Sequence, residues 1–168
     1  MIDKSESKKF NGETLYRWIN ADGSRGGWVS GNARVSDTAR VSDTARVSGN
    51  AVLSGTAWVS GNARVSGDAR LSGTALVSGN SWVSGNALVT DTARVSDTAW
   101  VSGDAVLSGT AWVSGNAWVS GNAWEKSPLY IQGSRHGATN CAAGHIAIGC
   151  EVHDFETWLR CYHDIGVQ

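Results

Sequence analysis

From Trp28 to Trp124 the chain repeats a six-residue unit, x-V-S-[GD]-[NTD]-A, without an insertion. A period this strict marks a stacked architecture, in which each unit buries its apolar face only against its neighbours. The aliphatic position recurs every sixth residue from Val29 to Val119, in sixteen hexads. Thirteen of these carry Val and three carry Leu (Leu53, Leu71, Leu107). The small position, four residues later, is Ala in fifteen hexads and Ser81 in the other. In an extended segment such as Ala33-Arg34-Val35-Ser36 side chains alternate, so Ala and Val point in and Arg and Ser point out. The next two residues, Gly-Asn or Asp-Thr, are corner formers that tolerate a left-handed backbone. A sheet sandwich would need variable loops and hairpin turns that this segment lacks, and a coiled coil fails on period and glycine content.

The pattern is similar to the hexapeptide-repeat left-handed parallel β-helix family. Its motif is an aliphatic residue, a small residue, two variable residues, a small residue and a variable one. Here the second position is Ser in nearly every hexad and Thr90 once. The resemblance implies a left-handed coil of three hexads, so that sixteen hexads make about five coils. The expected fold is an all-β solenoid, a left-handed parallel β-helix. Residues 1–27 form a short N-terminal lead-in and cap, residues 28–124 the helix, and residues 125–168 a small ββα C-terminal cap. An open β-helix end exposes unpaired backbone, which is why caps are expected at both ends.

An eighteen-residue coil sorts the variable positions into three outward columns. The first reads Trp28, Arg46, Arg64, Trp82, Trp100, Trp118; the second Arg34, Val52, Arg70, Leu88, Val106, Trp124; the third Arg40, Trp58, Leu76, Arg94, Trp112. All six Arg of the repeats and seven of the nine Trp of the chain stand in these columns. All six Asp of the repeats fall in corners, as solvated turn residues. Outward Trp in such number is unlike a solvated surface, since Trp and Arg are enriched at interface hot spots. Three explanations stand: self-association, with a trimer favoured; coverage of one face by a flanking segment; or a site where indoles stack on a ligand and Arg pairs with phosphate. The first column is the expected ligand or partner face. A secondary face comprises Arg40, Trp58, Arg94 and Trp112.

Many proteins that resemble this solenoid are acyltransferases using coenzyme A or an acyl-carrier protein, with a catalytic His on or near the coils. Residues 28–124 contain no His, Cys, Glu or Lys. A zinc site of the γ-carbonic anhydrase kind needs three His on the coil faces. Corner Asp are the only carboxylates in the repeats, so no catalytic residue and no cofactor is assigned.

In the lead-in, Thr14–Ile19 reads as a short strand and Ala21–Ser24 as a turn. The segment LYRWINADGSRGGWV resembles the lead-in of repeat proteins from bacteriophage and prophage genomes. After Trp124 the period stops, and Pro128 marks the break. Leu129–Gln132 and His145–Ile148 read as strands joined by a Gly-rich connection. Asp154–Ile165 reads as an amphipathic helix with Asp154 as N-cap. The fragments PLYIQGSRH and IAIGCEVHDFETW resemble a C-terminal module of the same phage proteins. Every His and Cys of the chain lies in this tail. Cys150-x2-His153 with Cys141 or His163 makes a weak zinc alternative, against buried Cys and surface His that bind nothing.

The net charge is −1, so nothing draws in duplex nucleic acid. No apolar run reaches the roughly 18 residues that span a bilayer, and MIDKSESKKF lacks the apolar core of a secretory signal. Three cysteines make no disulfide framework, so the expected location is a reducing bacterial cytoplasm. The expected function is that of a non-catalytic phage-type binding protein, one that captures a host protein or a nucleotide-like signal in counter-defence. A structural or self-assembling virion component and an acyltransferase-like enzyme are the alternatives.

Overall fold

The computed structural model describes residues 1–36, 38–120, 130–132, 137–142, 145–148, 151–157 and 160. Each repeat forms a two-residue strand at its outward and aliphatic positions, such as Trp82–Val83, and a turn at its corner. Strands pair in parallel with the strand eighteen residues on: Arg46 with Arg64, Trp82 with Trp100, Arg70 with Leu88, Leu76 with Arg94. The eighteen-residue coil is therefore present, and three sheets line about five turns of solenoid. Sheet I carries Trp28, Arg46, Arg64, Trp82, Trp100 and Trp118. Sheet II carries Arg34, Val52, Arg70, Leu88 and Val106. Sheet III carries Arg40, Trp58, Leu76, Arg94 and Trp112. Trp124 lies outside the described residues.

The interior is a column of Val, Leu and Ala with almost no solvent exposure. Burial of each Val or Leu contributes about 1.5–3 kcal/mol. Ser81, the one polar residue at the small position, is also buried, and its hydroxyl donates to the Ser78 carbonyl at 2.7 Å. That bond offsets the cost of enclosing a hydroxyl among aliphatics.

The corners turn through a left-handed residue. Gly73 has φ +67°, and a Cβ there would meet the Asp91 backbone at 2.8–2.9 Å. Asp91 itself adopts φ 58°, and its carboxylate accepts from the Gly109 N–H of the next coil at 2.9 Å. Asp43 and Asp97 do the same for Gly61 and Gly115. The following corner residues form ladders, with Asn50 donating to Asp68, Asn62 to Asn80 and Asn86 to Asp104. These side chains, expected to be merely solvated, tie successive coils together.

Three strands open the chain: β1 (Ile2–Phe10), β2 (Glu13–Ile19) and β3 (Arg25–Ser30). They run antiparallel, and β3 is the first rung of sheet I, so the lead-in extends that sheet. The strand expected at 14–19 is present. β1 was not expected, because its residues are polar and show no apolar alternation. Asn11 (φ 49°) and Gly12 (φ 81°) form the tight turn between β1 and β2, and this Asn-Gly pair is the signal that could have revealed the hairpin.

The lead-in closes the first coil. Trp18 is buried in the core cluster, and Asn20 is buried beneath the coil. The Asn20 Oδ1 accepts from the Val41 N–H at 3.1 Å, a donor that would otherwise point out of the open end. Its Nδ2 donates to the Ser24 hydroxyl. Gly26 and Gly27 allow this closure, since a Cβ on either would lie 2.2 Å from the Val41 carbonyl oxygen or 2.4 Å from that of Ala45.

The C-terminal region corrects the expected ββα arrangement. Strands Tyr130–Gln132, Gly137–Ala142, His145–Ile148 and Glu151–Asp154 form one antiparallel sheet in chain order. The Gly-rich connection thus contains a strand, and a fourth precedes the helix. A Gly, Ala, Thr and Asn segment pairs through its backbone and leaves no alternating apolar pattern to read. Helical residues begin at Phe155, and the Asp154 carboxylate accepts from the Thr157 N–H at 2.6 Å, as expected of an N-cap. Strand Gly137–Ala142 lies beside Trp118–Val119 of the last described coil.

Candidate binding faces

An outward residue on a parallel sheet repeats its position one rung above the last, so like side chains stack along the solenoid axis. On sheet I this brings Trp82 and Trp100 to a ring-centroid distance of 5.1 Å with planes 5° apart. Trp100 and Trp118 follow at 5.5 Å and 17°. All three rings are exposed, at 39%, 39% and 54%. Their indole N–H groups turn back toward the preceding coil and donate to Ser66, Ser84 and Ser102. Polar capacity is thereby satisfied within the chain, and the ladder presents a row of apolar ring edges.

The lower end of the same column is partly covered, with Trp28 and Arg46 half-buried and Arg64 exposed. The Arg46 guanidinium lies 4.0 Å from the centre of the Phe10 ring and that of Arg64 5.5 Å from it. Arg17 sits 4.1 Å over the Trp28 ring, with the Lys8 ammonium 6.0 Å from it. The Glu13 carboxylate reaches the Gly49 N–H at 3.3 Å. Glu6 holds the hairpin together by accepting from Arg17 at 2.7 Å and Arg25 at 2.6 Å. Hydrogen bonds from Arg17 and then Arg25 keep the Glu6 carboxyl below its ordinary range. The six-residue face read from the sequence is therefore divided: Trp28 and Arg46 are half-buried under the hairpin, whereas Arg64 stays exposed at its margin, next to an open indole ladder.

On sheet III, Trp58 and Trp112 are exposed at 45% and 59%, and their indoles donate to Ser42 and Ser96. Arg40 pairs with Asp22 at 2.8 Å and lies 5.9 Å from the centre of the Trp58 ring. Arg94 is exposed and makes no ion pair among the described residues. Leu76, at the middle of the column, is half-buried.

For the weak zinc alternative, Cys141 lies in strand Gly137–Ala142 and half-buried His153 in strand Glu151–Asp154. Cys150 and His163 fall outside the described residues. Among the described residues no three His, Cys, Asp or Glu side chains converge as metal ligands. No helix among them is long and apolar enough to cross a membrane.

Three parallel sheets, an eighteen-residue register and a Val/Ala interior define a β-solenoid repeat protein. A family model described as the YdcK beta solenoid repeat matches residues 39–55 and 57–73, two successive stretches close to one coil each. Neither a curated protein nor a solved structure matches the chain.

Proposed function

We propose that this chain is a non-catalytic binding protein of phage type that captures a host protein in the bacterial cytoplasm, in counter-defence, on the Trp82–Trp100–Trp118 ladder. One observation carries the reading: three exposed indoles, stacked on each other and fixed by Ser hydroxyls, form a rigid apolar strip. Rigid aromatic strips lose little side-chain entropy on docking, and Trp is the residue type most enriched at binding hot spots. A repeat region without His, Cys, Glu or Lys supports binding over catalysis. The resemblance of the lead-in and tail to phage proteins supplies the setting.

A host protein is favoured over a nucleotide-like signal because the rings already stand at stacking distance. A base has no slot between them, and the half-buried Arg46 guanidinium lies over Phe10, which leaves Arg64 as the exposed cation of the column. The test uses the full chain and Trp100→Arg as baits in bacterial lysate, with native mass spectrometry of the gently purified chain. Arg occupies the same column at Arg46 and Arg64, so the variant keeps the fold. A host protein retained by the wild type and lost with Trp100→Arg is the expected result. Equal retention by both baits, or a co-purifying nucleotide in place of a protein, would overturn the reading.

A further inference from the structure

We propose that two copies of this chain pair through sheet III, with solenoid axes antiparallel and a two-fold axis at Leu76. The outward column there reads Arg40, Trp58, Leu76, Arg94, Trp112 at successive rungs. Reversed against itself about Leu76, it sets Arg40 opposite the partner's Trp112 and Trp58 opposite the partner's Arg94. Leu76 meets the partner's Leu76, and the remaining two rungs repeat the same pairs by symmetry. Every cation then faces an indole and no charge faces its like, which is the complementarity a cation–π interface requires.

Three observations direct the pairing to this face and this orientation. First, the Trp58 and Trp112 indole N–H groups are already bonded to Ser42 and Ser96, so covering the rings strands no donor. Second, parallel axes would place Arg40 and Arg94 against their own copies, whereas antiparallel axes place each against a ring. Third, the other sheets are less suited. Sheet I has a related complementarity, Arg46 against Trp100 and Arg64 against Trp82, but Phe10 lies on Arg46 and Arg17 on Trp28, which blocks the rungs at its lower end. Sheet II, reversed about its middle described rung, would press Arg70 against the partner's Arg70.

Five rungs at roughly 4.8 Å span about 19 Å, a contact at the small end of specific interfaces, so the dimer is expected to exchange with monomer. The inference does not rest on the sheet I ladder, which stays outside this contact.

Sedimentation velocity of the full chain, from about 1 to 500 μM, reads the state directly. The expected result is a concentration-dependent dimer. Leu76→Arg sets two cations at the dyad and should weaken it at least about tenfold. Trp58→Arg should do the same, by placing Arg against the partner's Arg94. Adding Arg94→Trp to Trp58→Arg exchanges the two members of the pair and should restore the dimer. Arg is native to this column, so the variants keep their fold, which thermal unfolding followed by circular dichroism verifies. If Leu76→Arg unfolds, the comparison of Trp58→Arg with the exchanged double variant still decides. A monomer throughout the range, a trimer, a dimer untouched by Leu76→Arg and Trp58→Arg, or a double variant that stays monomeric would each overturn the proposal.

Discussion

The indole N–H of Trp82 donates to the Ser66 hydroxyl at 3.1 Å, across one coil boundary of sheet I. Ser66 stands two residues after Arg64, which is the residue in register with Trp82 on the coil below. The same relation joins Trp58 to Ser42, Trp100 to Ser84, Trp112 to Ser96 and Trp118 to Ser102. It gives the departure of the repeat at its second position a physical role, since Ser supplies the acceptor that lays each indole against the sheet. Replacing Ser66 by Ala should cost only about 0.5–1 kcal/mol, because the bond is exposed. The larger effect should be on ring order, read as a weaker near-ultraviolet circular dichroism signal. An unchanged spectrum would show that ring stacking alone orients Trp82.

Stacking itself has a distinct signature. Trp100 is the shared member of both stacked pairs. Trp100→Val should therefore abolish the coupled indole band of the far-ultraviolet spectrum, whereas Trp118→Val should reduce it. Trp112→Val, on sheet III, should leave it intact. Equal losses from all three substitutions would contradict the ladder.

The closed end should be the least tolerant part of the molecule. A Cβ at position 27 would lie 2.4 Å from the Ala45 carbonyl oxygen and 2.9 Å from a Val41 methyl. Backbone cannot yield as a surface side chain can, so Gly27→Ala should lose about 3 kcal/mol or more in denaturant unfolding. Gly31→Ala, with only a Tyr16 ring carbon near at 3.9 Å, is the matched control and should cost under about 1 kcal/mol.

Corner aspartates should respond against intuition. Asp91 holds a left-handed backbone and bonds the Gly109 N–H. Asp91→Ala loses the acceptor and keeps an unfavourable φ, for a cost of about 1–3 kcal/mol. Asp91→Gly loses the same acceptor but relieves the backbone, so the smaller residue should be the milder substitution. The unfolding midpoints of the two variants give the order directly.

Acid should loosen the hairpin before the solenoid. Glu6 and Asp22 are both held below the ordinary carboxylate range, Glu6 mainly by the hydrogen bond from Arg17 and Asp22 mainly by that from the Ser24 hydroxyl. A depressed folded value means that the unfolded hairpin binds protons more readily. The stabilisation is therefore complete above the ordinary value and is lost as pH falls through the folded one. The repeats have a neutral Val, Leu and Ala interior and should outlast it. Limited pepsin digestion should cut within residues 1–27 at acid pH while the repeats stay intact. Glu6→Gln should already be cut within residues 1–27 at neutral pH by a neutral protease such as thermolysin, and its acid response should be flatter; an acid profile identical to that of the wild type would show that Glu6 does not hold the hairpin.

The repeat was legible because every hexad states the same physics. An aliphatic residue and an Ala on one side of a two-fold alternation, with a left-handed corner, leave few ways to enclose a core. The coil of three hexads, and with it the three columns, came from the resemblance to the hexapeptide-repeat family, and the observed register places every described column residue where that coil assigned it. The sequence did not show which columns remain open. That Phe10 lies on Arg46, and that Arg17 lies on Trp28, depends on a polar strand whose pairing is made by backbone groups common to all residues. The tail strand Gly137–Ala142 was missed for the same reason. Local alternation thus determined the solenoid and its outward residues. Only the tertiary structure, by folding an Asn-Gly hairpin back along one sheet, decided that Trp28 and Arg46 of sheet I are partly covered while the Trp and Arg of sheet III stay exposed.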